Sequence, residues 1–238
     1  RDLFKAKDHL QKASGRTPSA LDSPYLFLND PVHQYLLMSG QTHFLELPFD
    51  GLHRLQLDIE TYCQEGFEFS NPQREADCII AIALSDSKGW ERLLSGKELS
   101  EAEMLQELVR EIRGRDPDVI EGHNIFRFDL EYIEARAQRQ GIPLGLGRDG
   151  SILKGHPSRM QIAERAIAYR KYEVFGRHIV DTWMLAQYYD ITARNLESYG
   201  LKGIARHFGL ASPERTYLEP DRIGWYYDHE PEVLFRYA

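Results

Sequence analysis

In Leu55-Gln56-Leu57-Asp58-Ile59-Glu60-Thr61 every second residue is polar or charged, a period of two that only an extended strand converts into two distinct faces. Leu55, Leu57 and Ile59 take the core face, and Asp58 and Glu60 share the other. Two carboxylates side by side at the end of a core strand repel each other, so the fold must bathe them in water or set a positive charge between them. A divalent cation fills that role well, because hard cations take oxygen ligands. A lone Asp-x-Glu is most often a strand end whose acids simply face water, so the remaining residues have to decide.

The same strand sits at the start of a change in pattern. Before it, residues 1–24 are polar and rich in Ser and Lys, which predicts a mobile or loosely packed lead-in. Tyr25-Leu26-Phe27-Leu28 and Gln34-Tyr35-Leu36-Leu37, with a turn at Ser39-Gly40, predict a short β extension over residues 25–51. From Leu52 onward, Arg54 to Glu60, Cys78 to Leu84 and Trp90 to Leu94 read as an antiparallel meander broken by Gly66, Pro72 and Asp86-Ser87-Lys88-Gly89. Ser100 and Glu103 form a capping box ahead of Met104, Leu105, Leu108, Val109 and Ile112, which line one helical face up to Gly114. A short strand at Asp118-Val119-Ile120 precedes a helix carrying Leu130, Ile133 and Ala137 and closed by Gly141. A strand from Tyr172 to Val180 and helices from Asp181 to Tyr189 and from Ser198 to Phe208 complete the series. The expected class is therefore α/β, a mixed sheet flanked by helices over residues 52–238.

Composition narrows the chemistry. At 238 residues and 42% hydrophobic content, the length suffices for one large domain or a domain with a small appendage. There is no run of about 18 apolar residues and no apolar region at the amino end, so no membrane partner is expected and a cytoplasmic location is the default expectation. Cys63 and Cys78 match no zinc spacing and read as near-core residues. A net charge of −8 argues against coating nucleic acid through bulk electrostatics. Between Gly145 and His178, however, seven basic residues stand against three acidic ones, which fits either a basic wall beside an acidic site or a solvated helical face.

A third acid, Asp129, follows the turn in Glu121-Gly122-His123-Asn124-Ile125-Phe126-Arg127-Phe128-Asp129, where a strand end passes into a helix. Ligands gather at such strand ends in α/β sheets. Asn-x-x-x-Phe-Asp downstream of Asp-Ile-Glu-Thr resembles the first two motifs of the DEDD (DnaQ-like, ribonuclease H-like) 3'-5' exonuclease superfamily, most closely the proofreading domain of family-B DNA polymerases. Phe175-Gly176-Arg177-His178-Ile179-Val180-Asp181-Thr182 and Ser198-Tyr199-Gly200-Leu201-Lys202-Gly203-Ile204-Ala205 carry the likeness further. That resemblance implies a ribonuclease H-like fold and a metal-dependent 3'-5' exonuclease acting on single-stranded or frayed DNA, with two Mg²⁺ or Mn²⁺ ions. Asp58, Glu60 and Asp129 would hold the metal, Thr61, Asn124 and Phe128 would shape the entry for the 3'-terminal nucleotide, and a polymerase domain or replication and repair proteins would be partners. Two alternatives stand beside it: an RNA 3'-5' exonuclease of the same superfamily, and a silent module that binds nucleic acid or serves a polymerase.

The family carries a fourth acid one helical turn after a Tyr or five residues after a His. No His here has that spacing in the right order. Tyr217 and Asp221 have the Tyr spacing, but Pro220 denies them a shared helix. Tyr237 in Val233-Leu234-Phe235-Arg236-Tyr237 resembles the start of the third motif, which would put the acid past Ala238. With no initiator Met and an unfinished helical pattern at Tyr237-Ala238, the chain reads as a fragment, truncated within its exonuclease domain. Asp181 reads as a helix N-cap rather than a ligand.

Overall fold

The computed structural model describes residues 2–28, 30–40, 46–212 and 217–238. It divides into two units, residues 1–48 and 49–238.

The first unit corrects the expectations for the amino end. The polar lead-in is helical, α1 at Asp2–Ser14, although none of its residues is buried. Phe27 is met by the Phe4 ring at 6.2 Å and by Lys7 Nζ at 5.5 Å. The expected β extension is not formed among the described residues: Tyr25 to Leu28 lie in no regular element, and Gln34 to Leu37 fall inside α2, Pro31–Ser39. The local chemistry explains this. Asp30 accepts a hydrogen bond from the Val32 N–H, Pro31 supplies a φ ready for the first helical position, and Gly40 ends the helix in the left-handed region at φ 70°. Caps at both ends outweigh the β propensity of one Tyr.

In the second unit the meander forms as expected: β1 (Arg54–Thr61) pairs antiparallel with β2 (Ile79–Asp86), and β2 with β3 (Glu91–Ser95). Helix α3 (Glu101–Arg115) then crosses to β4 (Val119–Gly122), which lies parallel to β1, and α4 (Asp129–Gln140) follows. The capping box at Ser100 and Glu103 is made in both directions. A hairpin of β5 (Lys154–Ile162) and β6 (Arg165–Glu173) forms a separate sheet. β7 (His178–Asp181) returns to the main sheet parallel to β4, giving the order β3-β2-β1-β4-β7. Helices α5 (Thr182–Ala193), α6 (Leu201–His207), α7 (Ile223–His229) and α8 (Pro231–Tyr237) complete the unit.

The single strand expected from Tyr172 to Val180 is thus two strands in two sheets. The chain turns at Gly176, φ 74°, where a Cβ would come within 2.9 Å of Arg148 Cδ. The expected helix starting at Ser198 begins three residues later, at Leu201.

Leu55, Leu57 and Ile59 are buried with Leu105, Leu108 and Ile133 of the covering helices, each contributing about 1.5–3 kcal/mol by burial. A smaller cluster joins Ile80 to Leu218, Ile223 and Leu234, with Tyr62 and Tyr237 packed against it. Cys63 and Cys78 are free and half-buried.

The far end of the sheet is fastened by Asp86. Burial alone would raise its pKa, but hydrogen bonds from His53, the Trp90 and Lys88 N–H groups and Arg115 hold its carboxyl well below the usual carboxylate range. An unfolded Asp takes up its proton near pH 4, so the stabilisation is complete above about pH 4 and drains away as pH falls below it. Asp86→Asn is expected to destabilise the protein by about 3 kcal/mol at neutral pH and to flatten the acid limb of a urea-denaturation series. Unchanged acid sensitivity in the variant would assign that limb elsewhere.

Candidate active site

Three parallel strands, β1, β4 and β7, deliver their carboxyl ends to one edge of the sheet. Those ends are Asp58 to Thr61, Gly122 and Asp181, the position at which an open α/β sheet binds its ligands. Alternation along β1 is as the sequence demands, with Leu57 and Ile59 buried, Asp58 exposed and Glu60 half-buried. A bulge between Glu60 and Thr61 breaks the pairing with β2 just past the acids.

The turn from β4 into α4 carries the third carboxylate. Its shape is held by Asp181, whose Oδ1 accepts from Asn124 N at 2.9 Å and Trp183 N at 2.9 Å, while Oδ2 accepts from Phe126 N at 3.3 Å. Asp181 is therefore the cap of α5, as its position predicts, and a clamp on the β4–α4 turn as well. Asn124 sits in the left-handed region at φ 64°, which an Asn tolerates better than most side chains. Beside it His123 donates from Nε2 to the Tyr199 carbonyl at 2.9 Å and accepts at Nδ1 from Thr182 at 3.1 Å. Burial pushes its pKa down, in keeping with a neutral ring.

This turn places Asp129 at the first position of α4, only 1% exposed, where Oδ1 accepts the Ile59 N–H at 3.2 Å. Strand β1 and helix α4 are thereby joined at the acids themselves. The electrostatics follow from that closeness. Burial first, then the charge of Asp58, pushes Asp129 up to about 8. Burial, Asp58 and Asp129 push Glu60 up to about 8, against the opposing pull of Lys202. A positive charge beside these carboxyls would relieve the push that burial and their mutual charge exert, and an all-oxygen set suits a hard divalent cation. Among the described residues no three ligand side chains already close on one point.

The remaining expected residues are distributed as follows. Thr61 adjoins the acids, but its hydroxyl is paired with Ser70 at 2.8 Å. Asn124 has a buried Oδ1 with no hydrogen-bond partner, a polar atom the protein itself does not satisfy. Phe128 is part-exposed, its ring 5.6 Å from Tyr132. Tyr237 ends α8 and lines, with Asp58 and Lys202, a cleft of about 720 Å³. Pro220 opens a short 3-10 turn, so Tyr217 and Asp221 do not share a helix.

Lys202 has no role in the sequence reading beyond its motif. Its Nζ lies 5.3 Å from the Tyr237 ring centroid and donates to the Leu218 carbonyl at 3.3 Å. The signal was a Lys in the first turn of a predicted helix, a position where a cation opposes the dipole and so wants another reason to be there.

The expected basic wall is only partly available. Arg148 is paired with Asp116 and Asp118, Arg177 is buried against Asp116 and two carbonyls, and Arg170 is tied to Glu134. These three brace loops. Lys154, Arg159 and Arg165 of the hairpin stay exposed.

Residues 42–204 match the family model described as DNA polymerase family B, exonuclease domain. The chain is 29% identical over 205 residues to DNA polymerase 2 of Aeropyrum pernix, covering 84% of this chain and 23% of that protein. It is 37% identical over 160 residues to a DNA polymerase of Pyrococcus glycovorans, covering 60% and 20% respectively. Among solved structures, the family B DNA polymerase from Pyrobaculum calidifontis matches with a TM-score of 0.62 at 26% identity, over 78% of this chain and 22% of that one. The chain thus spans less than a quarter of the length of these relatives.

Proposed function

Since this chain belongs to the exonuclease domains of family-B DNA polymerases, we propose that it removes nucleotides from the 3' end of single-stranded or frayed DNA by metal-assisted hydrolysis. Its mixed sheet flanked by helices is that of the ribonuclease H-like fold, and domains of this family depend on divalent metal. What supports the reading is that α4 brings Asp129 onto β1, its Oδ1 accepting the Ile59 N–H between Asp58 and Glu60, so that burial and mutual charge push Glu60 and Asp129 up to about 8.

In the proposed reaction Asp58, Glu60 and Asp129 would hold two cations, Mg²⁺ or Mn²⁺. When bound, such ions lower the pKa of water toward neutrality and stabilise the charge developing on a leaving oxygen. Tyr237 orients the attacking water by hydrogen bonding, because a phenol with a pKa near 10 is too weakly ionised to act as a base. Lys202 faces the same cleft and offsets part of the acids' negative charge. Phe128 offers a part-exposed ring to the terminal nucleotide, with Asn124 on the same turn. Lys154, Arg159 and Arg165 attract the phosphates, and a polymerase domain is the natural partner of such a module.

The test is Mg²⁺-dependent degradation of a 5'-labelled DNA oligomer by the protein, beside a matched RNA. A ladder shortening from the 3' end, lost in Asp58→Ala, is the expected result. Asp58→Ala activity within tenfold of wild type would sink the assignment, because losing a metal ligand removes several kcal/mol of transition-state stabilisation.

A further inference from the structure

We propose that Tyr62 and Asp228 are positioning residues: their hydrogen bond registers α7 and α8 on the end of β1 and so sets where Tyr237 stands beside Asp58. The proposal rests on the nuclease reading above, in which Tyr237 orients the attacking water, and deepens it by naming what aims that hydroxyl.

Helices α7 and α8 have little of their own with which to place Tyr237. Each is seven residues long, well short of the length that holds a helix together in water, and neither starts with a side-chain cap. Burial of Ile223 and Leu234 with Ile80 and Leu218 holds them against the sheet. Burial is non-directional, however, and tolerates sliding and rotation that a water-orienting hydroxyl does not. No loop separates the two helices either. Glu230 ends α7, its N–H donating to the Tyr226 carbonyl at 2.8 Å, and its own carbonyl accepts from Val233 N at 3.0 Å to begin α8. Tyr237 lies seven residues past that elbow, about 10 Å of helix, so a tilt of about ten degrees carries it about 2 Å. A misplacement of about 1 Å is enough to cost about a hundredfold in rate.

The directional contact comes from Tyr62. Its backbone continues β1 two residues beyond Glu60, with its N–H donating to the Cys78 carbonyl at 2.9 Å, so the ring springs from the same strand end as the acids. The hydroxyl donates to Asp228 Oδ2 at 2.8 Å. The ring lies over Gly224, where a Cβ would come within 3.2 Å of Tyr62 Cε2, and meets the Tyr227 ring edge-on at 6.3 Å and 75°. Residues 224, 227 and 228 share one face of α7, so a single side chain grips the helix along a full turn. A phenylalanine would fill the same apolar cluster. The hydroxyl adds a charge-assisted bond of fixed length and direction, placed near the surface, where it contributes more to register than to stability.

The test measures single-turnover hydrolysis of a 5'-labelled oligothymidylate in Mg²⁺ and its Kd without metal. In parallel it follows the ¹⁹F resonance of 3-fluorotyrosine at position 237, assigned by its loss in Tyr237→Phe. Tyr62→Phe and Asp228→Ala are expected to slow hydrolysis about tenfold and to shift the resonance, with Kd within about twofold of wild type and thermal melts unchanged. Asp228→Asn, which keeps an oxygen for the hydroxyl, is expected to recover most of the rate. Tyr62→Phe/Tyr237→Phe is expected to be no slower than Tyr237→Phe, because the effect passes through Tyr237. A double variant slowed by about the product of the two single effects overturns the proposal, and so does a Tyr62→Phe rate within about twofold of wild type. Either result leaves the nuclease reading standing. A wild type that hydrolyses nothing, with a resonance that shifts in Tyr62→Phe, sinks the nuclease reading and supports the registration of α8.

Discussion

Asp129→Asn is expected to cost about a thousandfold in hydrolysis while raising the melting temperature of the metal-free protein at pH 8 by several degrees. A substitution that kills activity commonly lowers stability as well, so the opposite signs are the informative part. Asp129 is held up to about 8 by burial and by Asp58. The unfolded chain releases this proton near pH 4 and the folded protein only near pH 8, so stability falls as pH climbs through that interval and the full deficit is present above it. Asn carries no such proton and keeps an oxygen for the Ile59 N–H. The gap between variant and wild type should therefore close as pH drops toward 4. Mg²⁺ should stabilise the wild type, whose carboxylates it relieves, far more than the variant. Calorimetric scans at pH 5 and pH 8 with and without Mg²⁺ check all of this. A variant that melts lower than wild type at pH 8, or gains as much from Mg²⁺, would remove the carboxylate repulsion from the account.

Arg136→Met carries the largest expected loss of stability, about 3–5 kcal/mol. Arg136 is 3% exposed and makes a paired contact with Glu101, which also accepts the Ile79 N–H. Removing the cation leaves Glu101 buried without its counter-charge and leaves the carbonyls of Pro72, Arg74 and Glu75 short of a donor. Adding Glu101→Leu should recover part of the loss, since a buried pair replaced whole costs less than a pair broken. Urea titrations of the two single variants and the double variant measure it. If the double variant falls by the sum of the singles, the two side chains act independently and the buried pair is not the source.

The elements most legible in the sequence were those whose signal is local. Period two in β1, the capping box before α3, the glycine after α4 and the cap at Asp181 each depend on residues within one or two turns of one another, and each is found in place. The three acids were legible as a group only through the spacing of two motifs, because nothing local says that residue 129 meets residue 58. What escaped was tertiary. Gln34 to Leu37 has strand-like composition, yet a good cap and a proline one turn earlier set it as helix. The β5–β6 hairpin hid in a segment read for its charge, and three of that segment's arginines were already spoken for by Asp116, Asp118 and Glu134. Lys202 acquires meaning only once α6 is seen to face the same cleft as Asp58.

Asp181 touches none of the reacting groups, yet it joins the backbone of a turn at residues 124–126 to the start of a helix at 183–184, segments more than fifty positions apart. The acids and their scaffold are therefore not separable modules. Anyone grafting this centre onto another sheet by copying Asp58, Glu60 and Asp129 would transfer the carboxylates and leave behind the knot that aims one of them. The smallest portable unit is the set of three parallel strand ends with the carboxylate that ties two of them together.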